Sequence, residues 1–348
     1  FMNILVLNLG STSFKFELFN SETLESLQKG NFEIEQVETE QIQEEVNRIF
    51  REVLRKIGEV NKIKAVGHRV VHGGDKYIET FKIDAENILE LKDINSLAPL
   101  HNPFNLAGIK SVQEYLPEVD NYAVFDTALY KNLPEYVKIY PMPYKYYEQG
   151  IRKFGFHGIS HGYVLQEAAK KLKKDLDEIK LISVHLGGGC SVTAFDKGKP
   201  IDTSMGFTPM DGLMMQTRSG DVDPGLIFQL IRQEEYVYKV EDILNKESGI
   251  KGISGFDNYL DLLEAVKNKD EKVILAFNMY ISRIQKYIGA YLAILGKVDL
   301  ISFTGKIGAG NPETYKAVMK SELFKDIKSM IIEPKEELAI AREVKNIK

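Results

Sequence analysis

Two glycine-bearing turns, each set between apolar strands, constrain this chain more than any other feature. The first is Val6-Leu-Asn-Leu-Gly-Ser-Thr-Ser-Phe-Lys15, and its echo is Val184-His-Leu-Gly-Gly-Gly-Cys-Ser-Val-Thr-Ala194. Each reads as an apolar strand, a tight turn of Gly and small hydroxyl residues, and a second strand. Such a turn leaves several backbone N–H groups uncovered by side chains, so a phosphate can approach the main chain closely. One such turn alone is an ordinary hairpin. Two, far apart in the chain, point to a duplicated α/β fold with a phosphate-binding turn in each half. One turn would hold the phosphate being moved and the other the rest of the donor.

At 348 residues the chain is long enough for two domains, each with its own core. Hydrophobic residues make up 44% and charged residues 27%, the profile of a soluble globular enzyme. The net charge of −5 argues against a general nucleic-acid binder, which carries a basic surface. It leaves room for small anionic substrates, which a few local Arg residues can hold. The single Cys190 excludes an internal disulfide and fits a reducing, cytoplasmic setting. It reads as a small packed residue rather than a nucleophile. No apolar run reaches membrane-spanning length, and the chain enters a strand too early for a signal peptide, with Phe1 ahead of Met2 reading as a cloning remnant.

Residues 3–8 and 13–19 read as a hairpin. Val46, Ile49, Phe50, Val53, Leu54 and Ile57 follow helical spacing over 44–57, and Gly58 supplies the stop. Strands are expected at 65–71, 122–125, 181–185 and 300–303, with helices over 161–176 and 272–295. Asp126 would sit at the C-terminal end of its strand, the edge where ligands gather in open α/β sheets. Thr304-Gly-Lys-Ile-Gly308 reads as a third ligand loop. Pro134, Pro141 and Pro143 suggest a domain boundary within 127–150, and the helical pattern of Glu336–Arg342 suggests a return to the first half.

All six His residues lie in Gly- or Pro-containing motifs: His68, His72, His101, His157, His161 and His185. Zinc ligation is the first alternative to weigh, but no His-Glu-x-x-His pattern and no second Cys accompany them. Arg69, inside Gly67-His-Arg-Val-Val-His-Gly-Gly74, and Arg218, inside Met215-Gln-Thr-Arg-Ser-Gly-Asp-Val-Asp-Pro224, stand in Gly-rich, charge-poor surroundings. A surface ion pair is the ordinary fate of an Arg. Here the planar fork suits a carboxylate or phosphate ligand.

Ala98-Pro-Leu-His-Asn-Pro103, Gly155-Phe-His-Gly-Ile-Ser-His161 and the long Asp202–Met215 segment closely resemble motifs of the acetate kinase family. So do Gly67–Gly74, Val124-Phe-Asp-Thr127 and Thr217–Pro224, and the resemblance runs from Asn3 to Glu336–Arg342. It implies the fold of the acetate and sugar kinase, Hsc70 and actin superfamily: α/β, with two RNase-H-like domains around a central cleft. The N-terminal domain would comprise residues 1–130 with 338–348 and carry acyl and phosphate site residues. The C-terminal domain, 131–337, would carry the nucleotide site and a homodimer interface, with the long helix 272–295 as an interface element.

The reaction implied by the resemblance is reversible phosphoryl transfer from ATP to acetate, giving acetyl phosphate and ADP. On the same basis Arg69 and Arg218 flank the carboxylate and the moving phosphoryl group, and His157 donates to its oxygens. Asp126 sits near the reacting centre, positioning Arg69 or a metal-bound water rather than acting as a base. Val71, Leu100, Phe156 and Pro209 form the acyl pocket. Ser11, Ser13 and Lys15 belong to the first phosphate turn, His185, Gly187, Gly188 and Gly189 to the second, and Gly305, Lys306, Ile307 and Gly308 to the final nucleotide loop. Asn8 and Glu336 hold Mg²⁺, with Mn²⁺ as an alternative. No nucleic acid or membrane partner is implied.

The departures from the family pattern fall on the donor side. The second turn is Gly187-Gly-Gly189 where Gly-Asn-Gly is usual, and triple Gly is similar to butyrate kinases. Tyr259-Leu-Asp261 stands in place of Asp-Phe-Arg. Gly305-Lys-Ile-Gly-Ala-Gly310 replaces Ala-Gly-Ile-Gly-Glu-Asn, and the stretch from Pro312 to Glu336 is short. Three alternatives therefore stand beside ATP-dependent acetate phosphorylation. They are a propionate or butyrate kinase, a pyrophosphate-dependent enzyme using Lys306, and a non-catalytic ligand-binding relative of the fold.

Overall fold

The computed structural model describes residues 2–347 other than 36, 85 and 269. The chain divides into two compact units, one of Phe1–Lys131, Gly158–Ser160 and Lys335–Lys348, the other of Asn132–His157 and His161–Pro334. The first unit contains six strands: β1 (Asn3–Leu9), β2 (Ser13–Asn20), β3 (Ser26–Glu33), β4 (Ile63–Val70), β5 (Phe81–Lys82) and β6 (Asp120–Phe125). They lie in the order β3-β2-β1-β4-β6-β5, with β1, β4 and β6 parallel and β1–β2–β3 an antiparallel meander.

The sequence of β1 explains its central place. All seven of its residues are buried, so both faces must be covered. Leu5, Leu7 and Leu9 point into a core with Val46, Ile49, Phe50 and Val53 of the helix Ile42–Ile57 and with Phe104 and Val112 of the helix Asn102–Tyr115. Ile4 and Val6 point the other way, onto Ile340, Ala341 and Val344 of the C-terminal helix Glu336–Asn346. Burying an Ile or Val side chain is worth about 1.5–3 kcal/mol, so these contacts hold the C-terminal helix to this unit. Gly67 of β4 permits the approach, because a Cβ there would lie 2.7 Å from Ile340 Cγ2 and 2.8 Å from Val344 Cγ2.

The second unit repeats the pattern. Strands β7 (Lys180–Leu186), β8 (Cys190–Asp196), β9 (Lys199–Thr203), β10 (Leu300–Thr304) and β11 (Ser329–Ile331) lie in the order β11-β10-β7-β8-β9. The meander β7–β8–β9 corresponds to β1–β2–β3, and β10 and β11 to β4 and β6. The expected α/β duplication, with an RNase-H-like sheet in each unit, is therefore present. The helix Glu271–Leu295 is capped by Asp270, whose carboxylate accepts from Lys272 N and Val273 N, and closed by Gly296. Its stripe Val273, Ala276, Tyr280, Ile284, Ile288 and Tyr291 is buried within the unit against β8 and neighbouring helices.

Element positions follow the sequence closely, with two exceptions. The helix expected over 161–176 spans Gly158–Leu172 instead. It begins early because His157 adopts a left-handed conformation and Gly158 N–H donates to Asp126 O at 3.0 Å. It ends early because Lys173 is left-handed too, leaving Leu176 in a separate 3-10 turn. The loop expected at 304–308 is a short helix, Gly305–Gly310, that begins directly at the end of β10. Gly305 is left-handed, and a Cβ there would lie 2.3 Å from Leu186 O. Among the described residues no helix is long and apolar enough to cross a membrane.

Candidate active site

In the first unit the sheet gathers charged side chains at one end. Arg69 stands at the penultimate position of β4, and Asp126 follows β6 with its N–H on Val70 O. Arg69 donates to Asp126 Oδ2 twice, from Nε at 3.0 Å and from Nη2 at 2.6 Å. Its Nη1 donates to Asn8 Oδ1 of β1 at 3.2 Å. Asn8 in turn donates from Nδ2 to Glu337 Oε1 at 2.9 Å and Glu336 Oε2 at 3.3 Å, in the first turn of the C-terminal helix.

Burial raises the pKa of Asp126, Arg69 opposes that shift, and Glu336 adds to it. For Arg69 burial opposes the charged form, but Asp126, Glu336 and Glu337 outweigh it and the pKa is raised. Asp126, Glu336 and Glu337 thus all act on the charge of this one guanidinium. Among the described residues no group of three or more His, Cys, Asp or Glu is arranged to hold a metal ion, although oxygen donors of this kind are what a hard divalent cation takes. Glu336 and Glu337 each present a carboxylate oxygen to Asn8 Nδ2. Asn8 can offer its Oδ1 only on leaving Arg69.

The turn between β1 and β2 is closed by Gly10 N–H donating to Ser13 O at 2.8 Å, and Ser11, Ser13 and Lys15 are half-buried around it. Asn105 joins its base to the segment after β4, donating to Leu9 O at 2.8 Å and accepting from Val71 N at 3.1 Å. Asn102 holds the next residue, accepting from His72 N and donating to His72 O. Val71 is buried, whereas Leu100 is 42% exposed.

In the second unit the β7–β8 turn is tighter, Gly187 N–H reaching Gly189 O at 3.0 Å. Two cationic or donating side chains converge on it. A Cβ on Gly189 would lie 3.2 Å from His157 Nε2 and 3.6 Å from Arg218 Nη1. The His157 ring stacks on His185 with centroids 4.2 Å apart. Arg218 donates from Nη1 to Pro209 O at 3.1 Å, and burial lowers its pKa. No carboxylate among the described residues pairs with it. A desolvated guanidinium without a counter-ion is costly, and an anionic ligand is what would offset it. Phe156 is buried and Pro209 half-buried in the same unit. Burial raises the Cys190 thiol pKa, and Sγ lies 3.4 Å from Tyr280 Oη, so Cys190 is a packed core residue.

The residues of the expected donor side differ in exposure. Tyr259 is a core residue, bonded to Thr314 Oγ1 at 2.7 Å and packed on Tyr280, because its helix turns that face inward. Leu260 and Asp261 are exposed. Lys306 is exposed in the first turn of the helix Gly305–Gly310, while Ile307 and Gly308 are buried. Sequence reasoning passed over Glu337 and Asn105. Glu337 was signalled only by its adjacency to Glu336, and Asn105 by its place two residues beyond the quoted His101-Asn-Pro103 motif.

A family model described as the acetokinase family matches residues 3–339. The chain is 41% identical over 387 aligned residues to an acetate kinase of Bacillus subtilis, covering 98% of each protein. Among solved structures it resembles an acetate kinase of Porphyromonas gingivalis, at 33% identity and a TM-score of 0.88 over 100% of both chains. It also resembles a propionate kinase of Francisella tularensis, at 34% identity and a TM-score of 0.90 over 99% of each.

Proposed function

The chain belongs to the acetokinase family, and from that premise we propose how its own residues carry the family's reaction. Its activity is that of an acetate kinase, a phosphotransferase with a carboxyl group as acceptor. Acetate is already ionised at neutral pH and needs no base to become a nucleophile. The difficulty is to bring two anions together in line, which calls for positive charge and fixed donors. The observation that carries this reading is Arg218, desolvated, without a carboxylate partner, and converging with His157 Nε2 on the Gly189 turn.

Arg218 and His157 are assigned to the oxygens of the moving phosphoryl group. Arg69 is assigned to the acetate carboxylate, and Val71, Leu100, Phe156 and Pro209 to its methyl group. Asp126 accepts two N–H bonds from Arg69 on one oxygen, which suits a carboxylate that aims the guanidinium rather than one that takes a proton. Ser11, Ser13 and Lys15, with His185 and Gly187–Gly189, are assigned to donor phosphates. Gly305–Gly308 are assigned to the remainder of the nucleotide. Glu336 and Glu337, with Asn8, would hold Mg²⁺, or Mn²⁺ in its stead. The cation supplies charge neutralisation for the donor phosphates when bound.

ATP is the proposed donor and acetate the proposed acceptor. Propionate is the second acceptor, since one methylene is worth only about 1–3 kcal/mol in an apolar site. A cytoplasmic homodimer completes the reading. The dimer contact is assigned to the helix Pro224–Glu234, which buries none of its residues and exposes Leu226 and Phe228, with Tyr236, Val237 and Tyr238 exposed just beyond it. The helix 272–295 spends its apolar stripe on its own core. The test is a donor screen with acetate and Mg²⁺, comparing ATP, GTP and pyrophosphate. Turnover with ATP supports the assignment. Turnover with pyrophosphate alone would reassign Lys306 to an inorganic donor, and no turnover with any donor would refute catalysis.

A further inference from the structure

His157 reaches the Gly189 turn through one ring nitrogen, and its other nitrogen enters a buried chain of hydroxyls and imidazoles. His157 Nδ1 lies 2.9 Å from Ser191 Oγ, which lies 2.7 Å from His161 Nε2. His161 Nδ1 lies 2.8 Å from Ser183 Oγ. The fold places these groups together. His157 and His161 are one helical turn apart, and Ser183 and Ser191 occupy the same face of the β7–β8 hairpin, where Ser191 pairs with His185 and Ser183 with Thr193. Ser183, Ser191 and His161 are fully buried.

Each hydroxyl has one proton to give. Burial, with His185 close by, holds the His161 pKa well below the usual range, so His161 is neutral and one of its nitrogens donates while the other accepts. Two orderings satisfy that condition. If His161 carried its proton on Nδ1, it would donate to Ser183, and Ser191 would donate to His161 and accept from His157 Nδ1. Ser183 bonds only to His161 among the described residues, so its own proton would then be left without an acceptor, a state that buried donors seldom occupy. In the opposite ordering every proton is used. Ser183 donates to His161 Nδ1, His161 Nε2 donates to Ser191, and Ser191 donates to His157 Nδ1.

We infer that Ser183, His161 and Ser191 form a relay that fixes the proton of His157 on Nε2, the nitrogen beside Gly189. The consequence for catalysis rests on the reading of His157 as a donor to the phosphoryl group. With the proton so placed, the imidazole presents an N–H to a phosphoryl oxygen without first acquiring charge, and Arg218 supplies the charge. Ser183, His161 and Ser191 are positioning residues, since none of them needs to touch the substrate.

The test is ¹⁵N NMR of the full-length protein labelled at histidine, with His157 assigned by the loss of its signals in His157→Gln. The expected pattern is a protonated, pyrrole-type Nε2 and a pyridine-type Nδ1 in His157. Ser183→Ala releases the order, so both shifts move toward intermediate values and kcat falls about 3–10-fold with acetate KM held within about twofold. Ser183→Thr keeps the hydroxyl and restores both. A His157 proton on Nδ1 in the unmodified protein overturns the relay, as do His157 shifts that Ser183→Ala leaves unmoved. The proton order read from the spectra stands or falls separately from the catalytic reading, which fails if His157→Ala keeps full turnover.

Discussion

Replacing Gly189 by Ala tests the convergence at the second turn directly. Its backbone is outside the left-handed region, so an alanine is accepted without strain. The new methyl carbon would lie 3.2 Å from both Cε1 and Nε2 of His157 and 3.6 Å from Arg218 Nη1. The imidazole must then give by a few tenths of an ångström. It has little room, being bonded to Ser191 at 2.9 Å and stacked on His185 at 4.2 Å. The methyl also fills the point at which both donors aim. The expected cost in stability is below about 1 kcal/mol, since the residue is partly exposed. Misplacing a reacting group by about 1 Å can cost about 10²-fold, so kcat/KM should fall by about 10–10²-fold. The assay is acetyl phosphate formation trapped by hydroxylamine, with thermal melting on the same sample. Gly188→Ala is the comparison, because its Cβ meets the mobile end of Gln216 at 3.3 Å and should cost less. An unchanged kcat/KM in folded Gly189→Ala would refute the placing of the phosphoryl group at this turn.

The two arginines should separate on stability while agreeing on rate. Arg69→Ala and Arg218→Ala are each expected to lower turnover by about 10²–10³-fold, as when an oxyanion donor is removed. Arg69→Ala strands the buried Asp126 carboxylate and should lower the melting temperature, whereas Arg218→Ala removes a half-buried cation with no carboxylate partner among the described residues and should keep or raise it. Gly67→Ala should cost about 1–3 kcal/mol of unfolding free energy, read by urea denaturation, because its methyl group collides with Ile340 and Val344. Burial, then the hydrogen bond and charge of Asp221, raise the Asp211 pKa to about 6 from 3.8. Between those values the folded chain keeps a proton that the unfolded chain has lost. Stability should therefore fall as pH rises from 3.8 to about 6 and level off above it, by up to about 3 kcal/mol relative to Asp211→Asn.

The fold was legible where a residue pattern has one structural outcome. The run Ile4–Leu9 followed by Gly10 and small hydroxyl residues is apolar on both faces, so it is a central strand ending in a tight turn. The periodicity of Val46–Ile57 with Gly58 behind it fixes a helix and its end. Legibility failed where tertiary packing outweighs local preference. Gly305–Gly310 holds three glycines and has poor helix propensity, yet it is helical because Gly305 packs against Leu186 O. Tyr259 was read only as a departure from the family motif, and its place in the core follows from the way its helix packs. The partners of His157 were invisible because Ser183 and Ser191 acquire meaning only once β7 and β8 pair in register.

The two sheets share a strand order but carry opposite electrostatic demands. Beside the first turn, Asp126, Glu336 and Glu337 all favour the charged form of one arginine, and carboxylate oxygens of this kind suit a hard cation. Beside the second, Arg218 is held from solvent with no carboxylate partner among the described residues, a setting that suits an anion. Neither demand follows from the shared backbone. Both come from side chains placed at corresponding strand ends, where a Gly turn keeps the main chain open. Phosphoryl transfer between two anions needs both kinds of site, a cation to neutralise the donor and fixed donors for the moving group. It does not need a base. On the proposed reading, the carboxylate at the end of β6 serves to hold Arg69, with both guanidinium N–H bonds on one oxygen.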